Sequence, residues 1–112
     1  MAEKQGRSGE RIAAWWLRLH GWQIRGQRVR TPRGEVDIIA RRGKTLAFIE
    51  VKSRGDRAAL AIAIDEYRLR RVVDAAQAVV ARYGVGAEEI RIDVILVRPW
   101  RWPVHLKNVW HG

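Results

Sequence analysis

The chain has 112 residues and no cysteine, and its 22 lysines and arginines outnumber 12 aspartates and glutamates, which gives a formal net charge of +10. The length fits a single domain, and the lack of cysteine excludes disulfide scaffolds, thiolate metal sites and cysteine nucleophiles. So large a charge on a small domain costs self-repulsion that an anionic partner relieves, so nucleic acid is the first candidate partner and an acidic membrane the second.

The first 20 residues predict a polar end and one helix. Residues 1–7 are predicted to form a frayed basic end, and they lack the apolar core of a signal peptide. No apolar run approaches the ~20 residues that cross a bilayer, so we expect a cytoplasmic protein that does not bind membranes. Apolar residues then recur at helical spacing between Ser8 and Gly21, which predicts an amphipathic helix over residues 9–20.

Two nearly continuous apolar runs follow, and they predict a β-hairpin. Residues 22–30 are strand-like and residues 32–34 form a turn. The hairpin strands are predicted near 34–41 and 44–53, around a two-residue turn at 42–43. Strands with apolar centres on both faces are typical of the middle of an α/β sheet.

The C-terminal half predicts a second helix and the remaining strands. Residues 54–64 are expected to form a connection with a short helical turn, after which a long amphipathic helix ends at Gly84. A further strand is predicted over 90–97, and the Trp-rich segment 98–112 is expected to add an edge strand. The whole chain, residues 1–112, therefore predicts one α/β domain with a mixed sheet of four or five strands flanked by helices.

Three charged residues interrupt the apolar centres of the hairpin strands: Asp37, Glu50 and Lys52. Charges inside a buried strand are costly unless they are paired or bound to a metal. The predicted turn places Asp37 opposite Phe48, and side-chain alternation then puts all three charges on one face. Asp37 and Glu50 become diagonal neighbours with β-carbons about 7–8 Å apart. Glu35 is expected to lie at the strand end or to support this site.

The chemistry that this set favours is metal-assisted phosphodiester hydrolysis. Asp37 and Glu50 can share one Mg²⁺ or Mn²⁺, since Mg²⁺ takes few protein oxygens and completes its octahedron with water and phosphate. The metal lowers the pKa of the attacking water, and Lys52 can stabilise negative charge that develops on the phosphate. The simpler interpretation is that these charges pair with each other or reach solvent at a strand end.

The hairpin also resembles a known motif. Residues 34–40 (GEVDIIA) and 48–54 (FIEVKSR) are similar to the two halves of the PD-(D/E)xK nuclease motif at hairpin spacing. Within that superfamily the chain resembles the small bacterial YraN-type proteins, which are similar to archaeal Holliday-junction resolvases. The likeness covers roughly residues 5–97 and implies a restriction-endonuclease-like fold.

The resemblance also implies roles for individual residues. Asp37 and Glu50 would be the metal-binding acids of the motif and Lys52 its catalytic lysine. Glu10 would be the catalytic acid contributed by the first helix. The alternative for Glu10 is a favourable position near the N-terminus of that helix, where the macrodipole stabilises an acid.

Further cations and aromatic residues predict contacts with nucleic acid. The residues that we expect to bind phosphates are Arg54, Arg68, Arg70 and Arg71. The alternative for the helical arginines is a solvated face. The run from Trp100 to Trp102 interleaves aromatic rings with a cation, as a base-stacking platform does, although core or dimer packing is favoured.

The remaining polar residues in apolar surroundings are given no catalytic role. Asp93, in the strand over 90–97, is expected to pair with an arginine, and the alternative is that it is a further acid of the site. The histidines lack metal-ligand spacing and receive no role: His20, His105 and His111.

We therefore expect a metal-dependent endonuclease that acts on DNA, with branched or structured DNA as a candidate substrate. The first alternative is a nucleic-acid-binding module that keeps the fold without turnover, and the second is a small basic protein bound to RNA. Cutting both strands of a junction needs two sites, which a homodimer through residues 98–112 or the Trp-rich surfaces would supply.

Overall fold

The computed structural model describes residues 2–53 and 66–110, and within these residues one five-stranded sheet lies between two helices. In chain order the elements are α1 (Ala2–Leu19), β1 (Gln23–Thr31), β2 (Gly34–Arg42), β3 (Thr45–Lys52), α2 (Glu66–Tyr83), β4 (Glu89–Leu96) and β5 (Val104–Leu106). The strands follow the order β1-β2-β3-β4-β5, with β3 and β4 parallel and the other neighbours antiparallel. The predicted mixed α/β sheet is confirmed, and it is consistent with a restriction-endonuclease-like fold.

Each face of the sheet is buried under one helix. The core on the α1 side includes Ala13, Leu17, Ile38, Ile49 and Ile95. The core on the α2 side includes Val36, Ile39, Phe48, Leu69, Val72 and Val94. Because β2, β3 and β4 contribute to both cores, their sequences are apolar on both faces, as predicted for central strands. No helix in the described part of the chain is long and apolar enough to cross a membrane.

Helix α1 begins at Ala2 rather than at the predicted residue 9. Ser8 therefore lies within the helix and does not cap it. The helix ends as predicted at Gly21, which has φ of 85° and donates its N–H to the carbonyl of Arg18 at 3.1 Å. A glycine with positive φ commonly closes a helix because it has no Cβ to clash in that conformation. The predicted helical turn over 54–64 lies outside the described residues.

The hairpin turn between β2 and β3 lies at residues 43–44 rather than at the predicted 42–43, since the register pairs Arg42 with Thr45. Gly43 has φ of 60°, and a glycine with positive φ at the first turn position is typical of a type II′ hairpin. The predicted turn would have placed Arg42 at that position. The turn prediction was therefore wrong by one residue.

The register of the hairpin moves by two residues as a consequence. Ile39, and not Asp37, lies opposite Phe48. Because side chains alternate with a period of two, a two-residue shift leaves the side chains on their predicted faces wherever the strand keeps its regular alternation. The shift also moves Asp37 from a position diagonal to Glu50 toward a position directly across from it.

Candidate active site

The two hairpin strands part at Asp37. Their ladder ends at the pair Ile38 and Ile49, and one further step would set Asp37 opposite Glu50. Instead, the backbone N–H of Val51 donates a hydrogen bond to Oδ2 of Asp37 at 2.8 Å. The carboxylate of Asp37 thus reaches across to β3, where a backbone carbonyl would lie in a continuing ladder.

A local twist in β2 releases Asp37 from the regular alternation. Val36 packs in the core under α2, whereas Ile38 packs in the core under α1, although residues two apart in a strand normally share a face. On β1 the residue across from Asp37 is Arg28, which is left out of the paired positions and has φ of 52°. The irregularity on both strands lets the side chain of Asp37 turn toward β3.

Asp37 lies in a crowded electrostatic environment. Burial raises the pKa of Asp37 from 3.8 to about 6, and the hydrogen bond from Val51 partly opposes the rise. The nearby carboxylates of Glu10, Glu50 and Glu35 contribute smaller parts of the same rise in the pKa of Asp37. A divalent cation beside these groups would remove the repulsion and favour the ionised form of Asp37.

Glu50 and Lys52 form a close ion pair on β3. They alternate with Val51, which packs on the α1 side, so both project from the α2 side of the sheet. Nζ of Lys52 lies 2.8 Å from Oε1 of Glu50, and their side chains are 19% and 18% exposed. Oε2 of Glu50 is buried and has no hydrogen-bond partner among the described residues. An unpaired buried acceptor costs free energy that a donor or a cation would recover.

The side chain of Glu10 lies on the side of α1 that faces this end of the sheet. Since the helix begins at Ala2, Glu10 lies well inside it, and the macrodipole does not explain its position. Nε of Arg28 donates to Oε2 of Glu10 at 2.7 Å, and the Glu10 side chain is 12% exposed. A Cβ at Gly9 would collide with Oγ of Ser53, so glycine at residue 9 allows α1 to approach the end of β3 closely.

The residues at this place suit a cation that prefers oxygen and needs few protein ligands. Asp37 and Glu50 supply carboxylate oxygens, one of them buried and unpaired. No three His, Cys, Asp or Glu side chains of residues 2–53 and 66–110 form a complete metal cage. Mg²⁺ keeps several waters and often takes only one or two carboxylates together with substrate phosphates. The donor set therefore fits Mg²⁺ or Mn²⁺ better than a metal that needs a full protein cage.

Of the four arginines predicted to bind nucleic acid, Arg70 and Arg71 have side chains that the structure describes. Arg70 and Arg71 are exposed on α2, and the guanidinium of Arg70 lies 5.9 Å from the ring centroid of Trp110. Arg54 and the side chain of Arg68 lie outside the described residues. The exposure of Arg70 and Arg71 agrees equally well with a solvated helix face and with phosphate binding.

Asp93 is structural, as expected. It is fully buried and accepts hydrogen bonds from Arg91 at 2.8 Å and from the backbone N–H of Asn108 at 2.9 Å. Nε2 of His105, a residue to which the sequence analysis gave no role, lies 2.7 Å from its Oδ2. Burial alone would raise the pKa of Asp93, but the bonds from His105, Arg91 and Asn108 hold it below its usual range.

Arg98 is a cation near the site that the sequence analysis did not single out. The N–H of Val97 donates to the carbonyl of Lys52 at 2.7 Å, so Arg98 leaves β4 at the same end of the sheet as Lys52. Nε of Arg98 is buried without a hydrogen-bond partner in the part of the chain that the structure describes. An arginine directly after a predicted strand was the only available sequence signal.

Comparison with known proteins places the chain in a family. A family model described as "Uncharacterised protein family UPF0102" matches residues 9–97, and the chain belongs to this family. A UPF0102 protein of Rhizorhabdus wittichii is 77% identical over 99% of this chain and 94% of its own length. One from Sphingopyxis alaskensis is 60% identical over 97% and 94%, and one from Parvibaculum lavamentivorans is 41% identical over 97% and 83%. The predicted membership in the YraN-type family is confirmed.

Proposed function

We propose that this member of the UPF0102 family is a Mg²⁺- or Mn²⁺-dependent endonuclease that hydrolyses phosphodiester bonds in DNA, including branched or structured DNA. The observation that carries the proposal is that Asp37 lies near Glu50, which is paired with Lys52, where β2 and β3 part. There a buried oxygen of Glu50 has no hydrogen-bond partner among the described residues, and burial together with neighbouring carboxylates raises the pKa of Asp37. Perturbed carboxylates of this kind are typical of functional sites.

Asp37 and Glu50 are the residues that would hold the cation. When bound, the metal supplies a water of lowered pKa and a polarised phosphate oxygen. The bond from Val51 fixes Oδ2 of Asp37 and so orients this carboxylate toward β3. Oε1 of Glu50 pairs with Lys52, whereas Oε2 has no hydrogen-bond partner among the described residues and is the oxygen that would bind the cation.

Lys52 has the position of an electrostatic stabiliser. Its ammonium lies beside Glu50 and is held by it, so it needs little reorganisation before it can donate to a phosphate oxygen. In the hydrolysis, water attacks phosphorus, one phosphorus–oxygen bond breaks, and the leaving oxygen takes up a proton. The products are one phosphate end and one hydroxyl end.

Cations around the site support DNA as the partner. The net charge of +10 favours a polyanion, and at the same end of the sheet as Lys52 the Nε of Arg98 has no hydrogen-bond partner in residues 2–53 and 66–110. A phosphate next to the cleaved one would satisfy that nitrogen with a charge-assisted hydrogen bond. Arg98 would then position the backbone of the substrate.

A nucleic-acid-binding module without turnover is the alternative. The observation that favours it is that two of the candidate acids already have cationic partners, since Glu10 pairs with Arg28 and Glu50 with Lys52. In that case the site would stay closed to metal. The proposal of an RNA-bound structural protein has only the net charge to support it.

A cleavage assay on linear, flapped and four-way-junction DNA separates these functions. The purified protein is incubated with each substrate in Mg²⁺, in Mn²⁺ and in a chelator. Cleavage that requires metal supports the endonuclease. Binding without cleavage under all three conditions supports the non-catalytic module instead.

A further inference from the structure

Helix α1 has a second apolar face that no described residue of the sheet covers. Ala13 and Leu17 are buried against the sheet, whereas Ile12, Trp15 and Leu19 are 42%, 47% and 60% exposed. These exposed residues recur at the three- and four-residue steps that form one stripe of a helix. Large apolar side chains grouped on a surface mark a site of interaction.

The loop after β4 completes this surface. Trp102 is 70% exposed, and its ring lies nearly parallel to that of Trp15, with an angle of 8° and centroids 6.4 Å apart. The ring of Trp16 lies 6.0 Å from Trp102, and Trp100 beside it is fully exposed. We call Trp15, Trp16 and Trp102 the tryptophan platform. The rings of Trp15 and Trp102 stack on each other, and both side chains still expose aromatic surface to solvent on which a base can stack.

The surroundings of the platform are strongly cationic. Both segments that build it, residues 11–34 and 94–112, contain no aspartate or glutamate. Arg11, Arg18 and Arg101 are exposed within these segments. A symmetric contact with a second copy would bring these arginines against each other, which disfavours self-association here. Aromatic rings among cations are instead complementary to unpaired nucleotides, which stack their bases and offer phosphates.

The platform lies close to the candidate active site. Trp15 follows Glu10 by five residues on α1, which is about 7.5 Å along the helix axis. The loop that carries Trp102 begins just after Val97, whose N–H binds the carbonyl of Lys52. A strand whose bases stack on the platform therefore has its backbone within a few nucleotides of the site.

We infer that the tryptophan platform binds unpaired bases, so that the substrates of this protein carry a single-stranded segment next to the cleaved bond. The inference about substrates rests on the proposed endonuclease function, whereas the inference that bases stack on the platform is independent of it. A duplex without unpaired ends would lack the bases that the platform takes.

Binding without metal tests the stacking apart from any cleavage. A fluorescently labelled deoxythymidine oligomer and a duplex of equal length are titrated with full-length protein in a chelator. We expect Trp15→Ala and Trp102→Ala to raise the Kd for the oligomer by about 5- to 100-fold, as expected for loss of one base stack, with a smaller effect on the duplex. Trp102→Phe should retain most of the affinity because it keeps an aromatic face.

Val85→Ala is the control, because Val85 is 75% exposed and its carbonyl binds Arg41 near the hairpin turn, away from the platform. It should bind as the wild type does. Unchanged oligomer binding by folded Trp15→Ala and Trp102→Ala would overturn the inference. If the same variants also lost a dimer in sedimentation, the platform would be assigned to self-association. If they instead lost binding to anionic vesicles, it would be assigned to a membrane. Failure of cleavage alone would leave the stacking result standing.

Discussion

Oδ2 of Asp37 accepts the backbone N–H of Val51 at 2.8 Å, one residue beyond the last pair of the hairpin ladder. This bond holds the partly buried carboxylate of Asp37 near Glu50, in a place where its ionisation is unfavourable. The fold thus maintains a local cluster of negative charge at the end of a protein that is otherwise strongly positive. Such an arrangement costs stability, and the cation that we propose for this site would offset that cost.

Ionised Asp37 should destabilise the metal-free protein. The pKa of Asp37 rises from 3.8 to about 6 on folding, so the folded state holds the proton of Asp37 more tightly than the unfolded state does. The contribution of protonated Asp37 to the free energy of unfolding is therefore lost as pH rises from about 4 to 6. Asp37→Asn keeps the acceptor for Val51 and removes the charge. In chelator at pH 7.5 it should raise the free energy of unfolding by about 1–3 kcal/mol, and at pH 4 it should have little effect.

Urea unfolding of wild type and variant at the two pH values measures this difference. Other titrating groups contribute equally to both proteins and cancel. A variant that is less stable than the wild type at pH 7.5 would show that the ionised Asp37 is not a source of strain.

The buried network of Asp93 should contribute far more to stability than a surface pair. Asp93→Ala leaves the guanidinium of Arg91 without its partner at a site only 12% exposed, and should lower the free energy of unfolding by about 3–5 kcal/mol. Since its folded pKa is lowered, Asp93 stabilises the fold above the unfolded value of 3.8, and this is lost as pH falls below it. Glu88→Ala, which breaks an exposed pair with Lys44, should cost at most about 1 kcal/mol. Equal losses for both variants in urea unfolding would contradict this.

The prediction for Arg98 concerns the salt dependence of DNA binding. Affinity should fall steeply with salt, because each neutralised phosphate releases nearly one counterion. Arg98→Ala should reduce the log–log slope by about one unit if Arg98 binds a phosphate. Arg42→Ala is the matched control, since the guanidinium of Arg42 binds the carbonyl of His20 and covers the ring of Trp22. A slope unchanged by Arg98→Ala would remove Arg98 from the binding surface.

The sequence predicted that Glu50 and Lys52 share one face of the sheet, and the incorrect turn does not change that placement. The turn at residues 43–44 differs from the predicted one by a single residue, which moves the register by two and preserves the alternation. The break of alternation at Asp37 was not predictable, because it depends on the conformation of Arg28 on the neighbouring strand.

Contacts between distant segments also escaped the sequence analysis. The approach of Glu10 depends on the fit of Gly9 against Ser53, and the role of His105 depends on the pairing of β5 with β4. Neither contact leaves a periodic signal in the chain. The long central strands do leave a signal in the sequence, and their bounds were predicted within two residues.

Lys52→Ala should impair cleavage in a way that extra metal does not repair. The substitution removes the ammonium that would stabilise charge on the phosphate but leaves the carboxylates of Asp37 and Glu50 in place. We expect cleavage to fall by about 100-fold or more at all Mg²⁺ concentrations, measured as single-turnover rates. Recovery of the wild-type rate at high Mg²⁺ would instead make Lys52 a residue that only tunes metal affinity.

Cleavage by matched carboxylate variants addresses the metal site itself. Asp37→Asn, Glu50→Gln and the surface control Glu88→Gln each remove one negative charge with little change in volume, and each is assayed on flapped and four-way-junction DNA in Mg²⁺ and Mn²⁺. We expect the first two to abolish cleavage while DNA affinity in chelator stays equal or rises, because a charge that repels phosphate is gone. Glu88→Gln should cut as the wild type does. Equal cleavage by all three variants would show that the hydrolytic site does not lie at Asp37 and Glu50.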